Sequence, residues 1–231
     1  MKKGTAWMMI VMCFSVGQAL RSQQPQHDDK HPGQKPGDLP HMEHRFDNAA
    51  ELAKAFDDPA RDAWQMPGRV IEALNLKPGE TVADLGAGTG YFTVRLAKAV
   101  ASPKVFAVDV ESSMVDYITM RAAKEGLKNV VAVRAASDRT NLPERVDVVL
   151  IVNTYHHLPS RPAYFAELKK LLKPQARLAI IDYKKGAPGG PPDHFRFTPD
   201  QISGELGQAG FALQAQHDFL PRQIFLVYRA S

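Results

Sequence analysis

The nine residues Val82-Ala83-Asp84-Leu85-Gly86-Ala87-Gly88-Thr89-Gly90 constrain this chain more than any other stretch. A short apolar run carries one acid and then meets three glycines at every second position. Glycine enters the left-handed backbone region without steric cost. The pattern therefore predicts a strand that bends sharply and lets its backbone come close to a ligand. Tyr91–Ala101 reads as a helix with Phe92, Leu96 and Val100 on one face. A strand that turns straight into a helix belongs to an open α/β sheet, whose ligands sit beyond the carboxyl ends of the strands.

The rest of the body keeps this alternation. Strands are predicted at Thr81–Leu85, Lys104–Asp109, Val130–Arg134, Val146–Val152 and Arg177–Asp182. Helices are predicted at Ser112–Glu125, ended by Gly126, and at Pro162–Leu172, with Pro174 just beyond. Strands interleaved with helices imply a parallel sheet. Val146–Val152 is apolar throughout, as a strand covered on both faces must be. Upstream, Asn48–Phe56 and Ala60–Leu74 read as helices, the second capped by Asp58 with Pro59 at its first position. Downstream, Thr198-Pro199-Asp200-Gln201 is a capping box for a helix reaching Ala209. Phe211–Gln216 and Gln223–Tyr228 then follow as two consecutive strands. The expected fold is α/β: a Rossmann-like seven-stranded sheet, mostly parallel, with a C-terminal antiparallel hairpin and helices on both faces.

Glycine spacing separates the ligand classes. A dinucleotide fingerprint starting at Gly86 needs Gly or Ala at position 91, where Tyr91 stands, so an NAD-linked oxidoreductase is disfavoured. A phosphate loop would end in Gly-Lys-Ser/Thr, which is missing. Asp84 would repel a pyrophosphate and suits a ligand with positive charge. Asp109, nineteen residues after Gly90, ends the second strand, where an acid can accept hydrogen bonds from both hydroxyls of a ribose. Met114, five residues on, is placed to pack against an adenine face.

In order, VADLGAGTG, VFAVDVESSM, SDRTNLP, VDVVLIVNTYHHL and LKPQARLAIIDY make the chain resemble class I S-adenosylmethionine (SAM)-dependent methyltransferases. It is most similar to their small-molecule branch, which includes quinone-ring methyltransferases, and the likeness runs over about residues 44–230. The resemblance implies that SAM is the cofactor and that Asp84, Gly86, Gly88 and Gly90 hold its methionine end. It also implies that Asp109 binds the ribose and that Ser137 or Asp138 bonds the adenine amino group. Asn153, at the end of the fourth strand, would face the methyl donor.

Methyl transfer mainly needs nucleophile and methyl in line. A base is needed only where the nucleophile has a proton to lose. His156, in Asn153-Thr154-Tyr155-His156-His157 after the fourth strand, is the candidate base. Capping or shaping the loop is the alternative for both histidines. Asp182 and Tyr183 form a second candidate pair, although a solvated turn before Lys184 is the preferred reading. Arg61, Asp62, Trp64 and Gln65 lie where family members carry a lid, with core packing of Trp64 as the alternative. Lys184–Pro192, rich in Gly and Pro, reads as a mobile flap or a spacer. No Asn/Asp-Pro-Pro-Tyr motif follows the fourth strand, so exocyclic amine methylation of nucleic acid or glutamine is unsupported.

Composition sets outer bounds. The formal charge of +4 falls to +2 without Lys2 and Lys3, so no electrostatic case for nucleic acid arises. Cys13 is the only cysteine, which excludes an internal disulfide, a Cys-based zinc site in the body and a multi-cysteine metalloid site. No metal site is expected; His27, His31, His41 and His44 crowd a segment that reads as solvated linker. Residues 1–19 have the charged start, short apolar run and small residues of a signal peptide, and residues 20–43 read as a disordered linker before a methyltransferase domain at 44–231. About eleven apolar residues are too few to span a bilayer, which takes roughly 20. The expectation is therefore an exported, periplasmic protein with no membrane span after leader cleavage. A cytoplasmic or leader-anchored protein is the alternative. Because SAM is made in the cytoplasm, an exported chain could instead be a non-enzymatic nucleoside-binding or interaction module on the same fold. The expected partner is a small-molecule methyl acceptor.

Overall fold

The computed structural model describes residues 48–99 and 104–230. The expected leader, the expected linker with its histidines and the end of the helix predicted over Tyr91–Ala101 lie outside them.

Seven strands form one sheet: β1 (Val82–Leu85), β2 (Val105–Asp109), β3 (Val130–Arg134), β4 (Val146–Val152), β5 (Leu172–Tyr183), β6 (Phe211–His217) and β7 (Gln223–Ala230). Their order is β3-β2-β1-β4-β5-β7-β6. The first five are mutually parallel, and β7 runs antiparallel between β5 and β6. The order reverses between β1 and β4, which opens a crevice at their carboxyl ends, the usual ligand position in such sheets.

Among the described residues, seven α-helices accompany the strands: α1 (Ala49–Phe56), α2 (Asp62–Gln65), α3 (Pro67–Ala73), α4 (Tyr91–Ala99), α5 (Ser112–Lys124), α6 (Arg161–Lys169) and α7 (Pro199–Gln208). The period-2 alternation of the strands divides their apolar residues between two layers. Val82, Leu150 and Ile181 pack with Val70 of α3 and Leu96 of α4. Ala83, Ile151 and Ile180 face the other way, onto Phe165 of α6 and Leu206 of α7. Full burial of such a side chain contributes roughly 1.5–3 kcal/mol. β1 and most of β4 are buried on both faces, as a two-sided cover requires.

Local signals set most boundaries. Gly126 (φ +69°) follows the end of α5. The capping box forms as expected: Gln201 N–H donates to the Thr198 hydroxyl at 3.2 Å, and Thr198 N–H donates to the Gln201 side chain at 2.9 Å. Two expectations need correction. The helix predicted over Ala60–Leu74 is broken into a 3₁₀ turn at Pro59–Arg61, then α2 and α3. Pro67 disfavours helical geometry at its predecessor, and Met66 takes a left-handed φ of +43°. The helix predicted to reach Leu172 ends at Lys169. β5 starts at Leu172, and the register slips around Pro174 and Gln175, the latter at φ +66°.

Candidate active site

The bend after β1 is tied to β2 through its backbone. Gly86 N–H and Ala87 N–H both donate to the Val108 carbonyl, at 2.8 and 3.1 Å. Gly86, Gly88 and Gly90 all have positive φ, at +71°, +56° and +84°. At Gly86 the space is as restrictive as the angle: a Cβ would lie 2.1 Å from the Thr154 hydroxyl oxygen in the loop after β4. That glycine therefore lets the β1 and β4 loops touch. Asp109 points into the bend. Its Oδ2 accepts from Gly88 N–H at 2.8 Å and its Oδ1 from Glu111 N–H at 3.0 Å. A carboxylate has about four acceptor positions, so these backbone bonds do not exhaust it. Burial raises the Asp109 pKa despite backbone hydrogen bonds from Glu111, Gly88 and Val110.

Asp84 lies beneath the bend, only 3% exposed, and Oδ2 accepts from the Thr93 hydroxyl at 2.7 Å. Burial pushes its pKa up to about 6; the Thr93 bond opposes this, Asp109 adds to it, and Arg61 opposes it more weakly. The Thr89 hydroxyl, inside the bend, is buried without a hydrogen-bond partner among the described residues.

The other expected cofactor residues are spread out. Met114 is fully buried on the first turn of α5. Ser137 and Asp138 sit on an exposed turn after β3, and the Asp138 carboxylate faces Arg139 at 3.6 Å. That turn adjoins the bend through Ala135 N–H, which donates to the Asp109 carbonyl at 2.8 Å. Asn153 adopts φ +55°, and its Oδ1 accepts from Gln223 Nε2 at 2.6 Å. Gln223 in turn accepts from Gln65 Nε2 at 2.5 Å. Both glutamines are fully buried, so this relay ties α2 to β7 and to the end of β4.

His156 lies in a 3₁₀ turn (Tyr155–His157) directly after β4. Its Nδ1 is 2.9 Å from both carboxylate oxygens of Asp182, and its N–H donates to Asp182 Oδ2 at 3.2 Å. Both side chains are buried, at 4% and 5% exposure. The solvated turn expected at Asp182 is thus replaced by a buried pair, because β5 ends beside β4 and delivers the acid to the loop. A carboxylate on Nδ1 fixes the tautomer with the proton there and leaves Nε2 as the basic nitrogen. A second buried network holds the turn. Arg161 Nε donates to Glu205 Oε2 at 2.6 Å and Nη2 to Oε1 at 3.1 Å. The Tyr155 hydroxyl donates to the same Glu205 Oε2.

Over the bend, Arg61 and Arg95 lie 4.0 and 3.9 Å from the Tyr91 ring centroid. Arg61 also donates to the Gln65 side chain at 2.9 Å and to the Phe56 carbonyl at 2.7 Å. Trp64 packs on Tyr183 at 5.8 Å, with Arg222 5.1 Å from its ring. Trp64, half-buried, thus lies against the end of β5 and outside the two main core clusters. Lys184–Pro192, expected as a flap or a spacer, is a loop wound around one guanidinium. Arg196, buried, donates to the carbonyls of Pro191, Lys184, Ala187 and Gly189 at 2.7, 2.9, 2.6 and 2.5 Å. Gly190 lets this loop lie against Tyr183, since a Cβ there would come within 2.6 Å of the ring.

Sequence reasoning missed Thr93, Gln223, Arg196 and Arg222. Only Gln223 leaves a trace, as a polar residue opening the apolar strand QIFLVY.

A methyltransferase-domain model matches residues 82–175, from β1 into β5. The crystal structure of a SAM-dependent methyltransferase from Aquifex aeolicus is 32% identical, covers 80% of this chain and 98% of its own, and superposes with a TM-score of 0.73. Phosphoethanolamine N-methyltransferase 1 of Zea mays is 32% identical over 54% of this chain and 25% of its own. A ubiquinone/menaquinone biosynthesis C-methyltransferase of Burkholderia vietnamiensis is 31% identical over 53% and 50%. The chain spans half or less of the length of these curated relatives. It belongs to the SAM-dependent methyltransferases. SAM is its cofactor, and the residues fit that group: the Asp109 carboxylate ends β2 against the glycine bend, where it can accept from a ribose diol. Buried Asp84 and the guanidinium of Arg61 offer opposite charges to a zwitterionic methionine end.

Proposed function

We propose that this chain methylates a small molecule whose nucleophile carries a proton, and that His156 removes that proton. The buried His156–Asp182 pair carries the reading. SAM, when bound, supplies a methyl group already activated on a sulfonium. His156 Nε2 takes the acceptor proton, while Asp182 holds Nδ1–H and stabilises the charge that develops on the ring. The Arg161–Glu205–Tyr155 network keeps the 3₁₀ turn fixed, so Nε2 stays aligned. Trp64 and Tyr183 cover the site and exclude water.

The test is a donor-turnover assay against a metabolite extract, with the methylated product identified by mass. In His156→Gln, turnover is expected to fall by roughly 100-fold or more, with SAM affinity by calorimetry kept. No heat and no thermal stabilisation with millimolar SAM would overturn the proposal.

The charged, apolar start of the chain supports export as part of the same proposal. N-terminal mass analysis of cell fractions is expected to find the chain beginning at Leu20 in the exported fraction. An intact start confined to the cytoplasm would sink that part.

A further inference from the structure

The acceptor side of the site is cationic, and its positive groups surround an aromatic wall. Tyr183 ends β5 next to Asp182, and Trp64 packs against it from α2 at 5.8 Å. Arg222, from the connection between β6 and β7, lies 5.1 Å from the Trp64 ring. Arg196 lies 5.6 Å from the Tyr183 ring. Arg61, Arg222 and Arg196 all act on the Tyr183 hydroxyl electrostatically. The nearby acid, Asp182, is held by His156. Arg222 has no ion-pair partner and no hydrogen bond from its guanidinium among the described residues. Arg61 uses Nε and Nη1 on neutral acceptors and leaves Nη2 open. Carboxylates elsewhere on the chain are well used by arginines, as at Arg177–Glu80 and Arg121–Asp57. Arg61 has Asp57 and Asp84 acting on it, so the half-buried Arg222 guanidinium, without an acid among the described residues, is a local specialisation. A guanidinium is suited to planar, bidentate oxyanions and stacks on aromatic faces.

We infer that the methyl acceptor is a planar molecule bearing an oxyanion, either carboxylate or phosphate. Its ring lies against Trp64 and Tyr183, and its charge is taken by Arg222. This rests on the proposed methyltransferase reading and narrows its substrate class. The nucleophile then faces His156, and the anion fixes which atom of the ring is presented.

The experiment uses the full chain with SAM present and follows Trp64 fluorescence, with Trp64→Phe as the control for Trp7. The probes are benzoate against benzyl alcohol and phenyl phosphate against phenol. The charged member of at least one pair is expected to bind roughly tenfold more tightly than its neutral partner, as a charge-assisted bond supports. Whichever anion wins separates a carboxylate from a phosphate source. Arg222→Met is expected to erase most of that preference while leaving SAM affinity by calorimetry unchanged. Arg222→Lys should restore part of it. Equal binding within both pairs, an unchanged preference in Arg222→Met, or no quenching by any probe at millimolar concentration would overturn the inference. If wild-type protein fails to bind SAM, the underlying methyltransferase reading falls first and this inference with it.

Discussion

The two halves of the site are made in different ways. The cofactor half is one short stretch of chain: strand, three glycines, helix, and an acid at the end of the neighbouring strand. Its contacts are largely backbone bonds, with Gly86, Ala87 and Gly88 donating to Val108 and Asp109. The acceptor half has no such core. It is assembled from α2, the turn after β4, the end of β5, the loop held by Arg196, α7 and β7, and side chains join these pieces across as many as 158 positions of sequence. A backbone cradle tolerates side-chain change around it, whereas a side-chain mesh depends on every member.

That contrast can be broken first at Glu205. Removing it strands Arg161 as a buried charge, and the loss of a buried partner costs about 3–5 kcal/mol. Glu205→Ala should lose that much in urea unfolding and lose turnover, while SAM affinity under folding conditions holds. A loss below about 1 kcal/mol would mean the mesh is looser than its geometry.

Asp182→Asn comes next. It should lower kcat by roughly 100-fold with little change in SAM affinity or stability, because the amide keeps the shape but cannot hold the His156 tautomer. A drop in SAM affinity matching the drop in kcat would dissolve the division between the halves.

The cofactor half is sharpened through pH. The Asp84 pKa is raised from 3.8 to about 6 in the fold. A carboxyl raised this way favours the folded state most below pH 3.8 and loses that contribution as pH climbs to about 6. Asp84→Asn should therefore gain stability relative to wild type across that window, reaching on the order of 3 kcal/mol above it. It should also bind SAM more weakly above pH 6, where wild type carries the charge. Unfolding curves and calorimetry at both ends of the window test this, and parallel pH profiles for the two proteins would refute it. The smallest effect is expected from Thr93→Val, which removes the bond that lowers the Asp84 pKa. The pH midpoint for SAM binding should rise by roughly half a unit to one unit. No movement would mean Thr93 does not act on Asp84.

Legibility followed the same division. β3 and β4 were bounded in the sequence as they stand in the structure, because apolar runs between turn residues announce buried strands. The capping box at Thr198 and the glycine at 126 were equally plain. Among the site residues, Asp84, the three glycines and Asp109 were readable, since one local pattern specifies them all. His156 was readable only by its position after β4. Its partner Asp182 stands in the sequence as a candidate, paired with Tyr183 and weighed against a solvated turn, but nothing near it reveals that β5 lies beside β4 and brings it to His156. Lys184–Pro192 looked like loose chain because its organiser, Arg196, lies beyond it and acts on carbonyls, which have no sequence identity. The kink at Met66 was signalled by Pro67, yet the apolar spacing around it suggested one continuous helix.

By itself, the sequence determined the alternation of strands and helices, the bend that receives a nucleoside, and the family to which the chain belongs. These follow from periodicity and from backbone angles that few residues allow, and both are local. Only the tertiary structure decided which acid holds His156, which glutamines lock Asn153, and which arginines stand over Tyr183. Those pairings depend on the order in which strands lie side by side, a property of the whole sheet that no window of sequence contains.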